Sequence, residues 1–255
     1  MPFVEKCRKT AQWLLYFAHT GLNFILLPGL KRFFFRTPWQ ELWKNFRAWA
    51  KNSDRLFGIS IKLLNPEQVS LDRQYILVAN HRSWFDQLVL AEALPQPIHF
   101  LAKKGYCAMP VFGRALTELV EVIPVENKKN KKLSTSVHRD LMRYLGRGDT
   151  VLFYVEGTRG SGKELLPFHP GAFKFAAKTG IPVLPLFLFG SEQVLSKHHS
   201  MLSVGGGEVV LRVEPPVFFT KEGFAGEMAA FEQEYRSKHD AWFDQFETAG
   251  LAPTQ

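Results

Sequence analysis

Short apolar runs of strand length alternate with stretches of helical period over most of the chain, and that alternation restricts the fold more than any other feature. Candidate strands occupy 75–79, 98–102, 120–125, 151–155, 183–188 and 209–213. Between them, 85–94 is apolar on one face, and 134–145 gathers Val137, Leu141, Met142 and Leu145 ahead of the stop signals Gly146 and Gly148. The pattern predicts an α/β fold, a mixed sheet flanked by helices. Pro182 and Pro185 predict that the fifth strand is an edge or irregular strand, because proline cannot donate to a ladder. The stretch 227–246 reads as an amphipathic helix with Met228, Phe231, Tyr235, Trp242 and Phe246 on one side.

The region before this pattern has a different character. Residues 11–30 hold no formally charged side chain, and a bilayer crossing needs roughly 20 apolar residues. His19, Thr20 and Asn23 interrupt the run and no A-x-A-like site follows, which argues against a cleaved signal peptide. Arg8 and Lys9 precede it, and Lys31, Arg32 and Arg36 follow it, so no charge asymmetry favours a single crossing. Trp39, Leu42, Trp43, Phe46, Trp49 and Ala50 then recur at helical spacing, with Lys44, Arg47 and Lys51 on other faces, the pattern of an interfacial amphipathic helix. We therefore expect 8–57 to form a membrane-seated two-helix hairpin with both ends on the cytoplasmic side. The chain divides on this reading into a hairpin, 1–57, and an α/β domain, 58–255. Trp13, Trp39, Trp43 and Trp49 suit a bilayer interface; a buried helix pair capping the core is the alternative.

Composition narrows the partners. The 255 residues, 46% hydrophobic, suffice for a full core. A formal charge of +8 favours an anionic partner: nucleic acid, a phospholipid surface or a phosphorylated substrate. Cys7 and Cys107 are too few for a disulfide framework, which points to a reducing compartment. No Cys/His cluster has zinc-site spacing, and His198 and His199 lack metal spacing.

Two polar clusters follow candidate strands directly. The first is Asn80, His81, Arg82, Ser83, Trp84, Phe85, Asp86, where a strand-to-helix bend could bring Asp86 to one ring nitrogen of His81 and leave the other free as a general base. The alternative is a helix-start S-x-x-D capping pattern with His81 a plain loop residue. The second cluster is Glu156, Gly157, Thr158, Arg159: a glycine for a sharp turn, a planar guanidinium suited to phosphate, and a carboxylate able to orient a hydroxyl. An ordinary strand-end turn with a solvated Arg is the alternative. Residues 157–163 imitate a nucleotide-binding P-loop, but Glu164 stands where Ser or Thr should hold magnesium, and Pro167 and Pro170 interrupt the helix that motif requires.

In order and spacing the chain resembles the glycerolipid acyltransferases related to lysophosphatidic acid acyltransferase. Asn80, His81, Ser83 and Asp86 match the N-H-x-S-x-x-D block. Ala102, Lys103 and Lys104 with 109–113 resemble the second block, Glu156 to Arg159 the third, and 181–185 the fourth. The resemblance covers roughly 70–190. It implies transfer of an acyl group from acyl-coenzyme A or acyl carrier protein, as cosubstrate, to a lysolipid hydroxyl, without metal or other cofactor. His81 would be the base and Asp86 its orienting partner; Lys103 and Arg159 would grip the acceptor phosphate, and Glu156, Gly157 and Thr158 would complete the acceptor pocket. It also implies an N-terminal two-helix membrane motif, an anionic membrane surface as partner, and the cytoplasmic face of a bacterial inner membrane as location. Direct attack is expected, since no G-x-S-x-G is present and Cys107 is the nearby thiol. Three departures stand out: Asn127 where the second block ends in Arg, with Lys128 or Lys129 as substitutes, Val155 in place of Pro, and Gly160 in place of Ser. These leave a different lysolipid head group open as acceptor. The lysine-rich run 128–132 reads as a solvated loop or an acidic-partner contact. A non-catalytic membrane or nucleic-acid binding module is the competing class; the tryptophans cluster away from the lysines, which disfavours nucleic acid.

Overall fold

A computed structural model describes residues 3–126, 134–160, 163–196 and 200–248. Helix α1 (Phe3–His19) runs through a π-helical stretch (Thr20–Leu26) into α2 (Leu27–Phe35). Arg36, in the left-handed conformation, ends this run, and Pro38 precedes α3 (Trp39–Phe57). Then follow β1 (Ile59–Leu64), β2 (Ile76–Ala79), α4 (Asp86–Ala93), β3 (Ile98–Lys103), α5 (Lys104–Cys107), α6 (Phe112–Glu118), β4 (Ile123–Val125), α7 (Thr135–Gly146), β5 (Thr150–Tyr154), α8 (Gly171–Thr179), β6 (Val183–Phe189), α9 (Ser191–Leu195), β7 (Gly207–Val213) and α10 (Phe224–Thr248).

The strands form a mixed sheet in the order β1-β7-β6-β2-β5-β3-β4. Every pairing is parallel except β6 with β7. Side chains alternate across it, so Leu77, Ala79 and Leu152 pack on the α3 and α4 face while Ile76, Val78, Val151 and Phe153 pack on the α7, α8 and α10 face.

Strand β6 excludes the edge alternative of one expectation and bears out the irregular one. It is an interior strand, buried along its length between β7 and β2, despite Pro185. The register toward β7 explains this. Phe187 pairs with Arg212, whereas Val183 bridges Val217, a shift of one residue, and Pro185 lies within that shift. Pro185 still accepts from Glu214 N (3.0 Å), and a bulge is a place where a ladder tolerates a missing N–H.

The sheet also divides. Strand β3 pairs with β5 only from Ile98 to Phe100, and its remaining residues, Leu101, Ala102 and Lys103, pair with β4 instead. Beyond Leu152, β5 therefore has no β3 partner, and a gap opens through the sheet near the ends of β2 and β5.

The N-terminal limbs differ from each other. Helix α3 buries Trp39, Leu42, Trp43, Phe46 and Trp49 in the core, with Trp43 stacked on Phe100 (6.0 Å) and Trp39 tilted against His99 (4.1 Å). Trp13 is also buried, and its indole N–H donates to Met201 O (2.7 Å). These tryptophans are core residues, contrary to the interfacial role expected from their spacing; the sheet face opposite them supplies enough apolar surface to cover them. The helix Phe3–Phe35 is long and apolar enough to cross a membrane by length and composition. It leaves Leu14, Leu15, Phe17, Leu26, Phe33, Phe34 and Phe35 exposed, which fits a membrane-seated hairpin through its first limb.

Candidate active site

The site begins where β2 stops. Asn80 continues the ladder with its side chain, Nδ2 donating to Leu188 O and Oδ1 accepting from Leu188 N, both at 2.8 Å. Its backbone N donates to Tyr235 Oη (3.0 Å), whose hydroxyl donates to Leu186 O (2.6 Å). The chain then bends through 81–85 before α4 begins. Asp86 Oδ2 is the centre of that bend: it accepts from His81 Nδ1 (2.6 Å), Arg82 N (2.8 Å) and Ser83 N (2.9 Å). Ser83 Oγ accepts from Phe85 N (3.2 Å) and donates to Leu195 O (2.9 Å). One carboxylate therefore ties together the turn into α4 and also holds the imidazole.

An ionised carboxylate can only accept, so the neutral ring carries its proton on Nδ1 and leaves Nε2 as an acceptor facing away from Asp86. The ring lies flat on Tyr154, with centroids 3.8 Å apart and planes at 12°. Tyr154 reaches it because β2 and β5 pair in register, Ala79 beside Tyr154. Asp86 is fully buried, whereas the His81 side chain keeps 13% of its surface exposed.

The second cluster departs from its expected role at one residue. Glu156 does not face an acceptor pocket. Its carboxylate accepts from Arg82 Nη1 through both oxygens (3.0 and 3.1 Å), from His81 N (3.3 Å) and from Leu166 N (2.9 Å). Arg82 and Glu156 are both buried, and a buried charge of either sign requires such a partner. Gly157 has φ +65°, and a Cβ there would lie 2.6 Å from the ring of His169. Gly160 N donates to His81 O (2.9 Å), closing the two loops on each other.

A cavity of about 830 Å³ opens at the divided part of the sheet. His81, Lys103, Gly157, Thr158 and Arg159 all line it, so five of the residues singled out from sequence converge there while Glu156 lies behind them. The Arg159 guanidinium stands 5.1 Å over Trp84, and its Nη1 is buried without a hydrogen-bond partner. Burial pulls Arg159 below its ordinary value. Burial pushes the Cys107 thiol up, away from the thiolate a nucleophile would need. Among the described residues no group of three or more His, Cys, Asp or Glu is placed to hold a metal ion. Asn127 and the 128–132 lysines, like His198 and His199, lie outside the described residues. Sequence reasoning missed Tyr154, Tyr235 and the structural use of Arg82; of these, Tyr154 carried a signal, as the last residue of the strand paired beside β2.

The acyltransferase family model matches residues 60–188. The chain belongs to the acyltransferase family. It is 29% identical over 202 residues to a chloroplastic 1-acyl-sn-glycerol-3-phosphate acyltransferase of Brassica napus, covering 79% of this chain and 56% of that protein. It is 25% identical over 168 residues to the 1-acyl-sn-glycerol-3-phosphate acyltransferase of Salmonella typhimurium, covering 66% of each. The chain thus spans between about half and two thirds of the length of these relatives. In fold it is similar to the crystal structure of the 1-acyl-sn-glycerophosphate acyltransferase PlsC from Thermotoga maritima, with a TM-score of 0.74, 20% identity, and coverage of 98% of this chain and 100% of that one. The resemblance drawn from the sequence motifs is therefore a family membership, and the mixed α/β sheet with flanking helices is the fold of that structure.

Proposed function

We propose that the protein transfers a fatty acyl group from a thioester, acyl-coenzyme A or acyl carrier protein, to the free hydroxyl of 1-acyl-glycerol-3-phosphate, giving phosphatidate. The observation that carries this reading is the His81–Asp86 pair, with its free Nε2 on a cavity also lined by the cations Lys103 and Arg159. His81 Nε2 takes the acceptor hydroxyl proton as the oxygen bonds to the thioester carbonyl carbon. The tetrahedral adduct then expels the thiolate, which recovers that proton from the imidazolium. Asp86 holds the tautomer and stabilises the imidazolium. Lys103 and the unpartnered Nη1 of Arg159 bind the acceptor phosphate, with Gly157 and Thr158 beside it. Glu156 has a different part: through Arg82 it holds the two loops in register. The apolar end of the cavity, lined by Phe24, Phe46, Trp49, Phe100 and Leu116, takes the acyl chain.

The exposed apolar side of Phe3–Phe35 seats the enzyme in the bilayer, on the cytoplasmic face of a bacterial inner membrane where thioester donors are made. The reaction uses no metal or cofactor beyond its cosubstrate, and nucleic acid is not a partner. Asn127, where the resemblance leads one to expect Arg, supports a second reading within the same chemistry, an acceptor with another head group.

The test is thiol release from acyl-coenzyme A and acyl carrier protein thioesters by purified protein in detergent, with lysophosphatidate against neutral and zwitterionic lysolipids. Release dependent on lysophosphatidate is expected. Release with another lysolipid alone would overturn the acceptor, and no release with any donor and acceptor would favour a non-catalytic binding module.

A further inference from the structure

We propose that the cavity has a second mouth, between α7 and α8, that binds the phosphate-bearing pantetheine arm of the acyl donor. The inference rests on the thioester-dependent transfer proposed above. Where β3 leaves β5, Leu101, Ala102 and Lys103 on one strand and Phe153, Tyr154 and Val155 at the end of the other all line the cavity. It therefore passes through the sheet and has walls on both faces. On the α3 face those walls belong to the apolar cluster that includes Phe46, Trp49 and Phe100. On the opposite face, Val137 and Phe175 belong to the other cluster, and the polar groups beside them are His138, His169, Lys174 and Lys178.

A thioester donor is one continuous chain: apolar tail, carbonyl, sulfur, pantetheine, phosphate. His81, stacked on Tyr154, stands at the gap. With the carbonyl held there and the tail on the apolar side, the sulfur points through the gap toward α7 and α8. Lys174 and Lys178 are four residues apart and so share a face of α8. Lys178 Nζ meets the imidazole of His138 (Nε2, 3.4 Å) and not a carboxylate, so its charge is not neutralised there and can be shared with an anion. The His138 ring also packs on Phe175 (5.0 Å), giving the mouth an apolar floor under its cations, as an amphipathic arm requires. Lys103 and Arg159, by contrast, stand at the end of β3 and beside Trp84. Donor and acceptor phosphates thus have separate sets of cations.

The experiment is steady-state kinetics of the Lys174→Glu/Lys178→Glu variant with acyl-coenzyme A, acyl carrier protein thioester, and an S-acyl-pantetheine that lacks the phosphate. The KM for both phosphate-bearing donors should rise about tenfold, as expected when exposed charge contacts to phosphate are reversed. The KM for the lysolipid, and that for S-acyl-pantetheine, should stay within about twofold of the wild-type values, a change too small to reflect a lost charge contact. Lys174→Ala/Lys178→Ala should shift the donor KM in the same direction by less, and it preserves the test if the charge reversal impairs folding. A donor KM that does not move, a lysolipid KM that rises in its place, or an equal rise with the phosphate-free donor would each overturn the assignment. Wild-type turnover separates this failure from failure of the function itself: an active wild type with an unaffected variant removes only the second mouth.

Discussion

The loop after β2 and the loop after β5 lie side by side on paired strands, yet they are held by different means. The first wraps around a residue of its own: Asp86 collects His81 Nδ1 and the N–H groups of Arg82 and Ser83, all within six positions. The second is held from a distance, by Glu156 to Arg82 and by Gly160 N to His81 O. Neighbouring residues on the first loop consequently face opposite ways. His81 turns to the cavity and belongs to the chemistry, while Arg82 turns inward and belongs to the fold. The contrast teaches that the reacting pair is encoded locally, whereas its position relative to the anion-binding residues depends on a buried ion pair and a backbone hydrogen bond between segments far apart in sequence.

If that division is right, losing His81 should cost activity and little else. His81→Ala is expected to lower kcat by about 10²- to 10⁴-fold, the usual range for a lost general base. Asp86 keeps both backbone N–H groups in that variant, so the loop should hold and the thermal midpoint should stay close to wild type. Turnover within tenfold of wild type would sink the dyad assignment; a collapsed thermal transition would show that the imidazole also supports the fold.

The buried pair should behave in the opposite way. Glu156→Gln leaves the Arg82 guanidinium buried without its hydrogen-bonded counter-charge, and breaking one side of such a pair costs about 3–5 kcal/mol. At about 2–4 °C per kcal/mol for a chain of this size, the thermal midpoint should fall by roughly 10 °C. A stable variant with a raised lysolipid KM would instead return Glu156 to the acceptor pocket. The sequence misled about Glu156 for a physical reason. A carboxylate one step from an exposed glycine and three from an Arg reads as a surface group, and only the pairing of β2 with β5 reveals that Arg82 lies opposite it. The same holds elsewhere. The strand cores were legible because Val and Ile runs are buried on both faces. Strand β1, which pairs with β7 alone at the sheet edge and carries Lys62 among its apolar residues, escaped notice. Helix α8 was hidden by Pro167 and Pro170, although Pro170 sits just before its first residue, where proline does no harm. His81 and Asp86 were legible because their whole arrangement is spelled in consecutive residues.

Gly160 gives the finest test of the contrast, because it joins the two loops through space and not through charge. The related enzymes are expected to carry Ser at this position, and the substitution looks mild on paper. Here a Cβ would lie 2.0 Å from Arg82 Nη1 and 2.8 Å from Glu156 Oε2, so a side chain at 160 and the inward-turned guanidinium compete for one volume. Gly160→Ser should therefore destabilise by about 1–3 kcal/mol, the usual cost of overpacking. Removing the competitor should relieve it: in an Arg82→Ala background the same serine should cost less, with a coupling of about 0.5–3 kcal/mol from a double-mutant cycle followed by denaturant unfolding. Strict additivity would show that 160 and 82 do not share that space. Coupling would show that a side chain at 160 and the inward-turned Arg82 guanidinium compete for one volume, so that the inner face of one loop limits what the other can carry.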